Sequence, residues 1–323
     1  MNVYCTLFDS RYLTRGIAMY RSLVKHSPGC RLYIFAFDDL ALHTLRALDL
    51  AGVTVISLDD FETDELRTVK RIRTIQEYCW TCTPYVVTHV LDCFREPACT
   101  YIDADLFFYG DPGALLCDLV DYSVLITPHW YTSRYDVSRK YGIYCVQFIT
   151  FRDTKQGRAV LDWWRAACHD WCYSRIEGGK FGDQKYLDDW PERFPGVRVL
   201  THRGGGVAPW NVQQYSISNT YDQLTITIDD AIYPIVFYHY HYVRFYRNGV
   251  IDLGPFDLPQ DALEILYRPY INTLQLLTNE VVQIDKSFES VDRTTPYSGY
   301  LPSAKYLIRR ALFSKNLLIP KML

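Results

Sequence analysis

The sequence predicts an α/β fold with a mostly parallel central sheet flanked by helices. Short continuous apolar runs recur at 3–8, 32–37, 53–58 and 100–108. Stretches with apolar residues at helical spacing lie between them, and turn-forming pairs such as Pro28-Gly29 and Asp38-Asp39 mark the changes. Strands apolar on both sides, alternating with amphipathic helices, fit a sheet covered on both faces.

The elements follow in order. The run at 3–8 ends at Asp9-Ser10, and Ile17, Tyr20, Leu23 and Val24 then repeat like one buried helical face. A second helix is expected from 40 to about 51, between the runs at 32–37 and 53–58. A helix at 77–94 would carry Pro84 in its first turns, where proline is tolerated. The run at 100–108 reads as a buried strand that ends in two carboxylates, with Asp111-Pro112-Gly113 turning the chain after it. A short strand at 124–127 precedes a polar loop at 131–140. Val160, Leu161, Trp164, Ala167, Cys168 and Trp171 give 156–171 a bulky helical stripe. A loop at 178–190 runs into a short helix, and 235–246 reads as one long aromatic strand. Beyond Pro255 the pattern turns helical, and a boundary near Pro269 divides a catalytic domain, 1–268, from a helical extension, 269–323. The extension ends in a basic amphipathic segment from Ser303, with Lys305, Arg309, Arg310, Lys315 and Lys321 and no acid. Such a helix suits an anionic membrane surface as well as a docked, solvated position.

Composition narrows the function classes. The 323 residues, 49% hydrophobic, suffice for a sizeable core. A net charge of -3 with no basic arm argues against nucleic-acid binding. The opening residues enter an apolar run with no basic leader, and no run is long enough to span a membrane. A cytoplasmic setting, peripheral to the inner face of a membrane, is therefore expected. The ten cysteines then read as reduced core thiols, and the single CxxC at Cys79 and Cys82 has no second pair to complete a zinc site. The 27 tyrosines suit a sugar-handling surface or simply an aromatic core.

Four elements carry chemistry. Asp103 and Asp105, at i and i+2 on extended chain, point the same way at the carboxyl end of a strand, where open α/β sheets bind ligands. Paired carboxylates there suit Mg²⁺ or Mn²⁺, and a cation so held binds a diphosphate. His239 and His241 share a strand face, either completing that metal site or filling an aromatic core. Asp183 and Gln184 follow a glycine turn, where they either cap a helix or hold a sugar. The run Arg203-Gly204-Gly205-Gly206, before Pro209-Trp210-Asn211, lets backbone amides approach a phosphate. No Walker lysine follows that glycine run and no GxGxxG stands where the first strand meets its helix, so ATPase and nicotinamide readings fit poorly.

In this order and spacing, these residues resemble the GT-A glycosyltransferases, most closely family 8 and related bacterial surface-polysaccharide (lipopolysaccharide and capsule) transferases. Tyr101-Ile102-Asp103-Ala104-Asp105 resembles the family's YxDxD strand, and Phe181-Gly182-Asp183-Gln184 its DQ element. The resemblance covers residues 1 to 245. It implies a nucleotide-diphospho-sugar transferase fold and a metal-dependent hexosyl transfer, with retention, from a UDP-sugar to a hydroxyl of a glycan or glycolipid. It implies Asp103, Asp105 and His239 as metal ligands for Mn²⁺ or Mg²⁺. Thr6, Asp9, Tyr12, Asp103, Trp210 and Asn211 would contact the nucleotide donor, and Asp183 and Gln184 would stand at the reacting centre. The chain departs from the family at Tyr242, where a glycine is usual, and lacks its phosphate-binding lysine, for which Arg244 or Arg247 substitutes. The family's arginine before the DxD strand is absent from Cys79-Trp80-Thr81. A nucleotide-sugar pyrophosphorylase fits less well, because residues 6–15 lack its glycine-rich basic loop. A non-catalytic glycan- or membrane-binding scaffold would show no metal-dependent affinity for UDP.

Overall fold

The computed structural model describes residues 2–220, 223–291 and 316–318. Strands β1 (Val3–Phe8), β2 (Arg31–Ala36) and β3 (Val53–Ser57) are parallel neighbours, and β4 (Ala98–Ile102) lies parallel on the other side of β1. After β5 (Leu106–Phe108) come β6 (Val124–Pro128), β7 (Tyr144–Arg152) and β8 (Val197–Val199). They complete a seven-stranded sheet in the order β3-β2-β1-β4-β7-β6-β8. Only β7 opposes its neighbours, so the sheet is mostly parallel, as the sequence predicts. An antiparallel meander, β9 (Ser216–Thr220), β10 (Gln223–Ile228) and β11 (Ala231–Pro234), follows and leads to β12 (Phe237–His239).

Helices cover both faces. The main ones are α1 (Leu13–His26), α2 (Asp39–Leu48), α3 (Ile75–Cys93), α4 (Lys155–Asp170) and α5 (Arg268–Ile284). Side-chain alternation along β1 shows why two layers form. Tyr4 and Phe8 join one apolar cluster with Ile17 of α1 and Leu274 of α5. Val3, Cys5 and Leu7 face the other, with Val86 and Val90 of α3 and Trp164 of α4. Local signals fix the helix starts. Asp38 accepts the Ala41 N–H at 2.8 Å, and Thr74 with Glu77 forms a reciprocal capping box on α3.

Several expectations are corrected. Strand β7 has no counterpart among the expected elements. The run at 100–108 is not one strand: β4 stops at Ile102, the chain turns at Ala104-Asp105, and β5 then joins a separate ribbon with β12. The long strand at 235–246 is likewise broken. β12 ends at His239, and the chain turns at His241-Tyr242 before β13 (Arg244–Phe245) pairs with β14 (Ile251–Asp252). Tyr242 has φ +77°, the left-handed conformation that a glycine adopts without penalty. Pro84 sits in the interior of α3, because the helix begins at Ile75 rather than 77. The basic C-terminal helix lies outside the described residues except at 316–318. There, Leu317–Leu318 (β15) is extended and pairs with β14. Among the described residues, no helix is long and apolar enough to cross a membrane.

Candidate active site at the strand ends

The two carboxylates reach one place by ladder register. The Asp103 N–H donates to the Gln147 carbonyl of β7 at 3.0 Å, and the Leu106 N–H closes the turn on the Asp103 carbonyl at 3.3 Å. Leu106 faces His239 across the β5–β12 ribbon, and the Tyr240 N–H donates to the Asp105 carbonyl at 2.9 Å. These bonds set His239 Nε2 at 3.1 Å from Asp105 Oδ1 and 3.7 Å from Asp103 Oδ2. His241, just past the strand, adds an exposed imidazole. One ligand atom each from Asp105, His239 and His241 lies within 4.8 Å of the others. Both carboxylates and both imidazoles therefore gather at one point, a donor set that fits a divalent cation.

The electrostatics separate the two acids. Burial raises the Asp103 carboxyl, and the neighbouring Asp105 charge adds to that, with His239 opposing both. Burial also pushes Asp105 upward, but His239, His241 and Arg15 together outweigh it and hold the group below the usual carboxylate range. Burial disfavours the His239 imidazolium, yet the adjacent Asp105 raises its proton affinity well above normal.

Asp183 is buried beside this cluster. Gly182, before it, has φ +52°, and a Cβ there would stand 3.2 Å from the Trp80 ring, so the turn requires glycine. The Trp164 indole donates to the Asp183 carbonyl at 2.9 Å, anchoring the loop to α4. Burial first, then the charge of Asp103, lifts the Asp183 carboxyl to about 7, with a hydrogen bond from Thr83 of α3 opposing. The Gln184 side-chain amide nitrogen donates to the Tyr141 carbonyl at 2.7 Å, which fixes the side chain. Lys185 pairs with Asp188 at 2.6 Å.

The other candidates divide. Thr6 is fully buried in β1, its hydroxyl without a partner among the described residues. Asp9 caps the turn after β1 and accepts the Arg11 N–H at 3.1 Å and its guanidinium Nε at 2.8 Å. Tyr12 is 41% exposed, with the Arg15 guanidinium 4.9 Å from its ring centroid. Trp210 walls the two imidazoles, its ring centroid 5.3 Å from that of His239 and 5.7 Å from that of His241. Asn211 is wholly buried. Its amide bonds the His129 and Gly206 carbonyls at 2.8 Å each and accepts the Ala208 N–H at 2.9 Å, so it braces the loop that carries Trp210. The glycine run packs rather than cradles: a Cβ on Gly204 would stand 1.8 Å from the Pro234 carbonyl, and one on Gly206 2.8 Å from the Trp130 ring. Arg244 lies 3.9 Å over the Tyr242 ring, whereas Arg247 is paired with Glu289 at 2.7 Å.

Sequence reasoning passed over Gln147, Thr83 and Arg15. Only Gln147 gives a signal, as the lone amide in the apolar run Val146-Gln147-Phe148-Ile149.

Comparison with known proteins agrees with this architecture. No family model matches the chain. It is 32% identical over 296 residues to the uncharacterized protein YfnF of Bacillus subtilis (strain 168), spanning 89% of this chain and 96% of that protein. It is 27% identical to the uncharacterized protein YfnD of the same organism, over 284 residues, 86% of this chain and 90% of that one. Among solved structures it resembles the galactosyltransferase LgtC in complex with donor and acceptor sugar analogs. The TM-score is 0.53 at 13% identity, covering 85% of this chain and 96% of that one. It also resembles the glycosyltransferase GlyE of Streptococcus pneumoniae TIGR4, with TM-score 0.50 at 14% identity over 91% of this chain and 67% of that one. The fold is that of the GT-A glycosyltransferases.

Proposed function

We propose, from the premise that the chain belongs to the family of YfnF and has the GT-A fold, that it transfers a hexose from a UDP-sugar to a hydroxyl of a glycan or glycolipid. The observation that carries this reading is the convergence of Asp103, Asp105, His239 and His241 beside the buried Asp183, at the carboxyl ends of β1 and β4.

Asp103, Asp105 and His239, with His241, would hold Mn²⁺ or Mg²⁺, the imidazoles favouring Mn²⁺. Bound there, the cation supplies Lewis-acid neutralisation of the diphosphate. Thr6, Asp9 and Tyr12 border the nucleotide at the end of β1. Arg244, beside the imidazoles, stands in for a phosphate-binding lysine. Asp183 accepts hydrogen bonds from donor-sugar hydroxyls, and its near-neutral proton affinity makes it able to hold a proton at that position. Gln184, fixed through its nitrogen by Tyr141, keeps its amide oxygen for the electron-poor anomeric carbon, which favours retention.

Calorimetric titration with UDP, with and without Mn²⁺, tests this reading. A panel of UDP-sugars follows, with UDP release monitored and the product's anomeric configuration read by NMR. Metal-dependent UDP binding and release from one sugar are expected. Absence of UDP binding with either metal would remove the UDP-sugar reading and leave a donor built on another nucleotide or a scaffold without the chemistry.

The basic residues from Lys305 onward support presentation of a lipid-linked acceptor at the cytoplasmic face of a membrane. Flotation with anionic liposomes should weaken on removal of residues 303–323, and equal flotation of both forms would end that idea.

A further inference from the structure

We infer that Gln147 is a positioning residue for the metal site, its side-chain carbonyl fixing the His239 ring with the proton on Nδ1 and Nε2 facing the carboxylates. The inference rests on the metal reading above and concerns how this chain prepares the site.

Gln147 lies in the middle of β7, fully buried. Its Oε1 stands 2.6 Å from His239 Nδ1. A side-chain carbonyl oxygen accepts only, so the proton of that bond belongs to Nδ1. The opposite ring nitrogen, Nε2, is the atom 3.1 Å from Asp105 and 3.7 Å from Asp103. A histidine ligates a metal through the nitrogen that carries no proton, and the bond made by the other nitrogen decides which one that is. Gln147 also receives the Asp103 N–H on its own main-chain carbonyl. One residue of β7 therefore holds two ligands that come from different strands, one through backbone and one through side chain.

The cost of this amide argues for the role. Its Nε2 is buried with no hydrogen-bond partner among the described residues. An unsatisfied buried donor costs about 1–3 kcal/mol. An aliphatic side chain would extend the run Val146-Phe148-Ile149 without that cost. Cys145, two residues earlier on the same face, also acts to raise the His239 proton affinity, but a thiol is too weak an acceptor to hold one tautomer.

The test uses the full chain and Mn²⁺ alone, without donor. Titration calorimetry should show Mn²⁺ affinity falling roughly 10–100-fold in Gln147→Leu. Gln147→Glu, which keeps an acceptor at the same reach, should stay close to wild type. NMR of the free protein gives a readout independent of metal: the His239 Nδ1–H resonance should exchange slowly in wild type and vanish into exchange in Gln147→Leu. Equal Mn²⁺ affinity with an unchanged Nδ1–H signal in folded Gln147→Leu would overturn the inference. If the leucine variant fails to fold, Gln147→Glu decides, and loss of the Nδ1–H signal in that variant overturns it. A wild type that binds no Mn²⁺ but loses the protected Nδ1–H in Gln147→Leu would retire the metal reading and leave the positioning role standing.

Discussion

Asp105→Asn is expected to abolish Mn²⁺-dependent binding of UDP and to lower sugar transfer by on the order of 10³-fold. The substitution preserves shape and removes the charge that faces His239 Nε2 at 3.1 Å. It also leaves the buried His239 imidazolium, whose proton affinity Asp105 raises, without its counter-charge, so stability should fall by about 3 kcal/mol at pH 7. The sign follows from the depressed proton affinity of Asp105. A carboxyl more acidic folded than unfolded stabilises the fold above its unfolded pKa, and that contribution is lost as pH falls through the folded value. The penalty of Asp105→Asn should therefore shrink in strong acid. Calorimetry with UDP and urea unfolding at pH 7 and pH 3 measure both effects. A variant that binds UDP with Mn²⁺ as wild type does would show that the carboxylate lies outside the site.

Asp183→Asn should act in the opposite direction on stability while also lowering turnover. The Asp183 carboxyl is held at about 7, against 3.8 for an unperturbed aspartate. Well below the unperturbed value of 3.8 both folded and unfolded chains hold the proton, and even at pH 4 the group contributes little. Between about pH 4 and 7 the unfolded chain releases the proton and the folded chain keeps it, so stability falls as pH rises. Above about pH 7 the folded chain carries the full cost, with an upper bound on the order of 4 kcal/mol. Asparagine removes that cost. Thermal unfolding should show Asp183→Asn more stable than wild type at pH 8, with little difference at pH 4, while kcat drops by roughly 10²-fold or more. A gain that did not grow with pH would contradict the burial of a destabilised acid at this position. An enzyme that retains a costly carboxyl gives up stability to position a group for chemistry.

The parts of the fold legible in the sequence were those governed by local periodicity. The apolar runs forming β1, β2 and β3, and the buried stripes of α1 and α4, depend on neighbours a few residues away. Capping at Asp38 likewise needs only the first turn of the helix it begins. The turn at Ala104-Asp105 was not legible, because the residues on both sides are equally apolar. Only pairing with β12 pulls Leu106 out of line with Ile102. The broken strand after His239 failed for a related reason. Its alternating aromatics look extended, while Tyr242 takes a left-handed φ that glycine would have announced and tyrosine does not. Within the site, charged residues at short spacing, Asp103 with Asp105 and His239 with His241, could be read directly. The three hydrogen bonds by which Asn211 braces its loop, one of them to the distant His129, could not be read from the sequence. Thr83 and Arg15 approach from helices whose register alone does not say which side chain reaches the strand ends.

The short ribbon of β5 with β12 makes the site a product of distant sequence. Asp103 and Asp105 belong to the first half of the chain, and His239 and His241 are translated much later. A nascent chain that has already closed β1 against β2 and β4 carries the acids but not the imidazoles. Closing so long a loop is slow compared with forming the local βα units. Metal affinity should thus arrive last on the folding pathway, so a young or partly folded molecule stays chemically silent until its final strands have locked.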